Sequence, residues 1–326
     1  MKIRISLILI ITSLMKIISL EAVLIAFNNL KDTTIDFSRF AQHKGYSEEV
    51  LKEMKQDLDP SMWKIHVNSS SWTKEARERT YLLTVANSQT YPDQIVLGVR
   101  AYFPQRYANS YVTIRPPFEI PSYYDNPENP NGQGEMFLNK GVVRNVGVLR
   151  KLSVNALGNN FRYSLYVRIK DHLGLEKDVF VGYMDYQGWK SKAWINPNIE
   201  YELSMRETRK KTMPNYPDEF PFVKLLAFVI LRDSSEITGN FVTMIKDVTV
   251  EYDEAIIQTG KTEDKQEEIF GIYTEELLKR ANSEMQKVDN RIYLEWEERK
   301  KQHKDEDTQK RTNRATPTKP QEPAQN

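Results

Sequence analysis

The stretch FRYSLYVRIKD, Phe161 to Asp171, decides the fold. Phe161, Tyr163, Leu165, Val167 and Ile169 fall on one side of an extended chain, and Arg162, Ser164, Tyr166, Arg168 and Lys170 on the other, because successive side chains of a strand point to opposite faces. One dry face and one wet face describe an antiparallel sheet packed on one side. A strand of a parallel sheet, covered on both faces, would read as a continuous apolar run. The stretch runs into Asp171-His172-Leu173-Gly174, a hairpin-type turn, and alternation resumes in Lys177–Met184, where Val179, Val181 and Tyr183 oppose Asp178, Phe180 and Gly182.

The same period extends in both directions. Trp63, Ile65 and Val67 alternate with Lys64, His66 and Asn68, and further strands are expected at Tyr81–Ala86, Ile95–Phe103 and Tyr111–Ile114. Two late strands, Val223–Leu231 and Phe241–Tyr252, flank a polar loop at Asp233–Asn240, and a long Asn-, Pro- and Gly-rich loop runs from Asp125 to Gly132. Ahead of the strands, Ser47 is placed to cap a helix over Glu48–Leu58 that buries Val50, Leu51, Met54 and Leu58 and stops at Asp59-Pro60. The pattern is all-β, an antiparallel sandwich with appendages.

Both ends differ from this middle. Lys2 and Arg4 precede an apolar run from Ile5 to Leu14, the layout of a secretory signal peptide, with residues 1–22 as the expected leader. The alternative is an uncleaved anchor continuing to Phe27, but Lys16 interrupts the run short of the roughly 20 residues that span a bilayer. After Gly260 the chain becomes dense in mixed charge. Phe270, Tyr273, Leu277, Ala281, Met285, Val288, Ile292 and Trp296 recur at spacings of three and four, an amphipathic helix whose stripe either docks on the sandwich or engages another subunit. The expected organisation is a leader at 1–22, a segment with a short helix at 23–62, the sandwich at 63–258, the charged helix at 259–300 and a disordered tail at 301–326.

Composition narrows the function. Lys and Arg number 46 against 45 Asp and Glu, so the basic excess of a nucleic-acid binder is missing. With no cysteine, thiol catalysis, thiolate metal sites and disulfides are excluded. The sequence has no G-x-S-x-G elbow, P-loop or H-E-x-x-H helix. His43, His66, His172 and His303 are scattered, without the spacing of a metal site. Carboxylate pairs for glycoside hydrolysis cannot be singled out among so many acids. Asp247 stands in the apolar late strand at a phase shift between Ile245 and Val248; a bulge that pairs the acid with amides or a basic side chain is the structural reading, catalysis the other. Trp189 and Trp194, with Tyr183, Tyr186 and Tyr201, are either a stacking platform for sugars, core and rim packing, or anchors for a protein partner. No catalytic, cofactor-binding or metal residue is assigned.

The order of features resembles a known pattern. Phe161–Asp171, Gly174, Val179–Gly182, then Gly188-Trp189-Lys190 leading to Trp194-Ile195-Asn196-Pro197, is similar to the middle of galactose-binding-like jelly rolls, and Phe222–Asp233 with Phe241–Tyr252 is similar to their closing strands. Together with the leader, Trp63–Val67, the loop before Phe137 and Pro217–Pro221, the stretch from Trp63 to Glu254 resembles the spirochaetal flagellar filament outer layer (sheath) proteins. The resemblance implies a non-enzymatic structural protein of the periplasmic flagellum. It would coat the flagellin core, associate with other sheath proteins and with itself, and contribute to filament shape and motility, with no cofactor, nucleic acid or membrane after leader removal. The alternative is a periplasmic carbohydrate-binding module on the same fold.

Overall fold

The computed structural model describes residues 19–301 except 31–32, 37, 39–44, 87, 105–108, 125–134, 137–139, 209–210, 213–220, 256, 259–274 and, near the C-terminal end, 276–277, 280–281, 284–285, 288 and 298–299. The expected leader up to residue 18, the 125–132 loop, the stripe positions from Phe270 to Val288, His43, His303 and the tail from 302 lie outside the described residues.

Among the described residues two six-stranded sheets face each other. In chain order the strands are β1 (Leu20–Ala26), β2 (Lys64–Val67), β3 (Tyr81–Ala86), β4 (Ile95–Phe103), β5 (Tyr111–Arg115), β6 (Val142–Arg144), β7 (Val146–Asn159), β8 (Tyr163–Lys170), β9 (Glu176–Tyr183), β10 (Gln187–Ile195), β11 (Phe222–Arg232) and β12 (Gly239–Glu254). The first sheet runs β10-β7-β12-β4-β3 with β1 added beside β12, and the second runs β9-β8-β11-β5-β2 with β6 added beside β11. All pairings within these two sheets are antiparallel. The dry side of the opening stretch is the core side: Tyr163, Leu165, Val167 and Ile169 are buried, while Tyr166, Arg168 and Lys170 are half-exposed.

The two central strands are built alike. On β12, Ile245 sits opposite Ala156 and Asp247 opposite Asn155, so Lys246 is an extra residue. At this bulge β12 exchanges partners: residues up to Ile245 pair with β4, and residues from Asp247 pair with β1. On β11, Leu225 sits opposite Ile169 and Ala227 opposite Arg168, which makes Leu226 the extra residue. Here too the partner changes, from β6 at Phe222–Lys224 to β5 at Phe228–Leu231. An extra residue flips the side-chain phase, and the buried positions obey it: Val223 and Leu225, then Phe228 and Ile230; Phe241 and Ile245, then Val248 and Val250.

Aromatic rings fill the space between the sheets at both ends. Tyr163 stacks on Phe241 with centroids 4.1 Å apart and on Phe103 at 5.6 Å. Phe27 meets Trp63 edge-on at 5.1 Å and Phe228 at 6.2 Å. Such pairs contribute about 0.5–1.5 kcal/mol beyond their buried area. Burial pushes the Tyr163 hydroxyl up to about 12.

Two expectations need correction. The helix expected over Glu48–Leu58 is only α1 (Glu48–Glu53), and Ser47 occupies its N-cap position without a side-chain capping bond. Beyond it Lys55–Gln56 is extended and pairs with Ile35–Asp36. Val50, Met54 and Leu58 are buried as the helical spacing requires, but an extended segment delivers Leu58, whose carbonyl accepts from Trp63 Nε1 at 2.9 Å. The sandwich also starts before residue 63. β1 supplies Leu24 and Ile25 to the core, and Phe27, Leu30 and Ile35 follow them inward. A further pair of short helices, α2 (Lys74–Arg79) and α3 (Ile199–Thr208), links strands.

Candidate functional site

The residues singled out in the sequence do not converge. His66 lies on β2 at the surface, and partial desolvation among its neighbours, with Arg115 and Lys64 nearby, holds its pKa below the ordinary 6.5. His172 is buried in the turn beside Asp171, in the other half of the second sheet. No cluster of three His, Cys, Asp or Glu among the described residues is placed to hold a metal ion, and no helix among them is long and apolar enough to cross a membrane. Asp247 takes the structural alternative: it follows the Lys246 bulge and pairs with the Lys246 ammonium at 3.0 Å. That ammonium also lies 4.5 Å from the centre of the Tyr91 ring.

Strand geometry divides the aromatic group. Trp194 lies opposite Leu152 and faces inward, whereas Trp189 lies opposite Leu157 and faces outward, where its ring meets Tyr91 edge-on at 4.9 Å. An odd offset of five residues along a strand puts two side chains on opposite faces, so the tryptophans cannot form one platform. Tyr201 is exposed on α3, and Tyr183 receives the Arg162 guanidinium at 4.7 Å.

Most charged groups on the sheets neutralise one another. Arg168 grips Asp178 through two hydrogen bonds of 2.7 and 2.8 Å, and this bidentate bond holds the Asp178 carboxyl below the ordinary range. Arg150 Nε donates to the buried Asp253 at 2.7 Å, and Lys151 pairs with Glu251 at 2.5 Å. Asp171 anchors the turn from β8 to β9. Its Oδ1 accepts from the amides of Leu173 at 2.9 Å and Leu175 at 3.0 Å, and its Oδ2 accepts from Lys177 at 3.0 Å. Burial pushes this carboxyl up, but Lys177 and the Leu175 amide outweigh it and leave the pKa below 3.8.

Other cations meet no carboxylate among the described residues: Arg100 on β4 bonds Asn240 and the Tyr81 hydroxyl, and two lysines on β10 share one ring. On the edge strand β10 the inward positions are Lys190, Lys192 and Trp194, opposite Ala156, Val154 and Leu152. Tyr186, in the link from β9, lies over Gly158, where an added Cβ would stand 2.4 Å from the Tyr186 carbonyl oxygen and 2.7 Å from its ring. The Tyr186 hydroxyl donates to the Ala156 carbonyl at 3.0 Å, and burial together with Asp185 pushes its pKa up to about 12. The ammoniums of Lys190 and Lys192 both point at this ring, 5.4 and 5.0 Å from its centre. The Lys192 stem crosses to within 3.4 Å of where a Gly182 Cβ would be, bridging the two sheets at their edge. Both lysines stand in the inward register of this edge strand, Lys190 exposed and Lys192 half-exposed.

The opposite edge is closed by the C-terminal helix. Every described residue from 289 to 297 is helical. Ile292 is buried in the core cluster, with Tyr293 and Trp296 packed against it. Glu295 pairs with Lys64 on β2, Arg291 donates to the Pro117 carbonyl at 2.5 Å, and Tyr293 stacks on Tyr46 at 5.2 Å. The stripe therefore docks on its own sandwich through its described residues. What the described surface offers chemically is paired charge, aromatic area and cations seated on ring faces.

The family described as flagellar filament outer layer protein FlaA matches residues 26–261. The flagellar filament outer layer protein of Spirochaeta aurantia is 36% identical over 282 residues, covering 84% of this chain and 82% of the relative. That of Treponema pallidum (strain Nichols) is 29% identical over 286 residues, covering 82% and 81%. Among solved structures, TmCBM61 in complex with beta-1,4-galactotriose covers 59% of this chain and 88% of its own at 10% identity and a TM-score of 0.28. The matched span runs from the last residue of β1 to beyond β12 and so takes in nearly the whole sandwich, and the chain belongs to the flagellar filament outer layer protein family.

Proposed function

We propose that this chain is an exported, non-enzymatic coat subunit of the periplasmic flagellar filament, laid on a flagellin core and contributing to filament curvature and motility. The observation that carries the reading is the family match over residues 26–261, which spans the sandwich and is not confined to one motif. The physics suits a coat. A core filament repeats one epitope along a helical lattice, and subunits that meet head to tail without closing form an open array. Each contact can be modest, because neighbours add avidity. A sandwich with one continuous core, and with its sheet charges largely paired internally, presents a stiff surface to such neighbours. The apolar run at Ile5–Leu14 supports export to the periplasm.

The test is mass spectrometry of purified periplasmic filaments with and without the gene, alongside electron microscopy of their curvature. The coat reading expects the chain in the filament fraction, a thinner filament on deletion, and altered curvature and swimming. Recovery of the chain only from the soluble periplasm, with filaments unchanged on deletion, would overturn it.

A further inference from the structure

We propose that the export leader is removed by hydrolysis of the Ser19–Leu20 peptide bond, so that the mature chain begins with the first residue of β1; this rests on the reading of the chain as exported.

The amino-acid pattern alone leaves the cut open. A leader peptidase takes a small residue just before the bond it breaks and a second small residue two places earlier. Thr12 and Ser13 lie inside the apolar run Ile5–Leu14, and a cut there would divide it. From Leu14 to the end of β1 three small residues follow: Ser19, Ala22 and Ala26. Two places ahead of them stand Ile17, Leu20 and Leu24, each a bulky aliphatic. The three positions match the pattern equally.

The strand pairing separates them. β1 is in register with β12 from its first residue: Leu20 lies opposite Tyr252, Glu21 opposite Glu251 and Ala22 opposite Val250, ahead of Val23, Ile25 and Ala26. A cut after Ala22 would remove the first three of these pairs. It would leave β12 from Val250 to Tyr252 without a partner on that side, a row of unpaired amides and carbonyls beside the core. Ala22 itself packs against the core cluster. A cut after Ala26 would take Leu24 and Ile25 with it, and both are buried. Of the three, only the bond after Ser19 can break and leave β1 whole, so the leader ends at residue 19 and not at 22.

The bond is also reachable. Ser19 precedes the strand, and Ser19 and Leu20 are both exposed. β1 is the first strand of the sandwich and β12 the last. A pairing over so long a separation forms late, so the residues around Ser19 stay unpaired while the chain crosses the membrane. The chemistry needs only water: the Ser19 carbonyl becomes the carboxylate of the released leader, and the Leu20 nitrogen becomes the new α-amino group.

The experiment expresses the full chain with its leader in a host that builds periplasmic flagella, recovers it by cell fractionation, and reads its first residue by Edman sequencing and intact mass. The expected first residue is Leu20. Ser19→Phe sets a large ring before the bond and is expected to leave the leader on most of the chain. Ala22→Val, a β-branched change that suits a strand, is expected to leave the cut where it is. Chains made without a leader, starting at Leu20 or at Val23, test the structural reason: the Val23 chain should melt about 5 °C lower or more. A first residue other than Leu20, unimpeded cutting of Ser19→Phe, or equal melting of the two shortened chains overturns the proposal. A chain found in the periplasm with residues 1–19 still attached removes the cut and leaves the export reading standing. A chain that stays in the cytoplasm removes the export reading itself.

Discussion

Asp171→Asn removes one negative charge from the turn that joins β8 to β9 and leaves its shape nearly unchanged. Two amide hydrogen bonds and one ion pair end on that carboxylate. Hydrogen bonds to a charged acceptor contribute roughly 1.5–3 kcal/mol each against roughly 0.5–1.5 for neutral partners, and asparagine keeps one acceptor oxygen for Leu173 and Leu175. The Lys177 ammonium loses its anion, but its side chain is 34% exposed and lies 5.9 Å from the Trp194 ring, so it can turn to water. The full 3–5 kcal/mol of a broken buried pair therefore does not apply. The expected cost is about 2 kcal/mol at neutral pH. With a urea slope of roughly 2–3 kcal/mol/M, the unfolding midpoint should fall by about 0.7–1 M. The effect has a pH signature. Because the folded carboxyl titrates below 3.8, its contribution is complete above that value and is lost as pH falls through the lower folded value. The stability gap between wild type and Asp171→Asn should be constant from about pH 7 to pH 5 and close below about pH 3.8. Urea titrations across that range decide it. A gap missing at neutral pH, or one undiminished at about pH 3, would refute the assignment of the carboxylate as the anchor of the turn.

Gly158→Ala forces a Cβ to within 2.4 Å of the Tyr186 backbone; overpacking of this kind costs about 1–3 kcal/mol, read as a lowered melting temperature. Trp194→Ala, on the inward face, is expected to cost about 3 kcal/mol or more, whereas Trp189→Ala, on the outward face against Tyr91, should cost less than about 1; equal losses in thermal melts would contradict the split. Ile292→Ala opens a cavity where the C-terminal helix meets the core, weakening that docking by about 2–4 kcal/mol. Limited proteolysis should then cut within 289–297 while the sandwich stays intact.

The alternation at Phe161–Asp171 was enough to fix the sheet type, because a period of two with one polar side admits few other packings. Even the phase shift at Asp247 was legible, since the bulge leaves its mark in the spacing of Ile245 and Val248. The same mark stands on β11, where Val223 and Leu225 give way to Phe228 and Ile230, but a run this apolar hides the shift. Three features were not legible for physical reasons. β1 is apolar and begins within the apolar stretch expected as a leader, so no change of composition separates the two. Leu58 keeps helical spacing from Met54 yet arrives by an extended segment paired with Ile35–Asp36, a tertiary override of local pattern. The inward register of Lys190 and Lys192 could not be read at all, because it depends on how β10 pairs with β7, which only the whole topology determines.

On the proposed coat reading, the four lateral edges of the sandwich bear on how neighbouring subunits would meet. An open strand edge is a template for another strand. Here β10 turns Lys190 and Lys192 inward, and β9 begins with Glu176, Lys177 and Asp178. β2 is tied through Lys64 to the C-terminal helix, and β3 lies alongside the turn at Pro60–Met62. Each of these devices obstructs sheet extension, so subunits should join through side-chain contacts and not by continuing a sheet. The two modes respond differently to salt. Charge contacts at the surface fade as the screening length drops from about 10 Å at 0.1 M to about 3 Å at 1 M, whereas added strands, held by backbone hydrogen bonds, do not. Raising the salt to about 1 M should release self-associated subunits while circular dichroism stays that of the folded sandwich. An assembly that survives that salt intact would mean that one of these edges is open after all and that the subunits share a sheet.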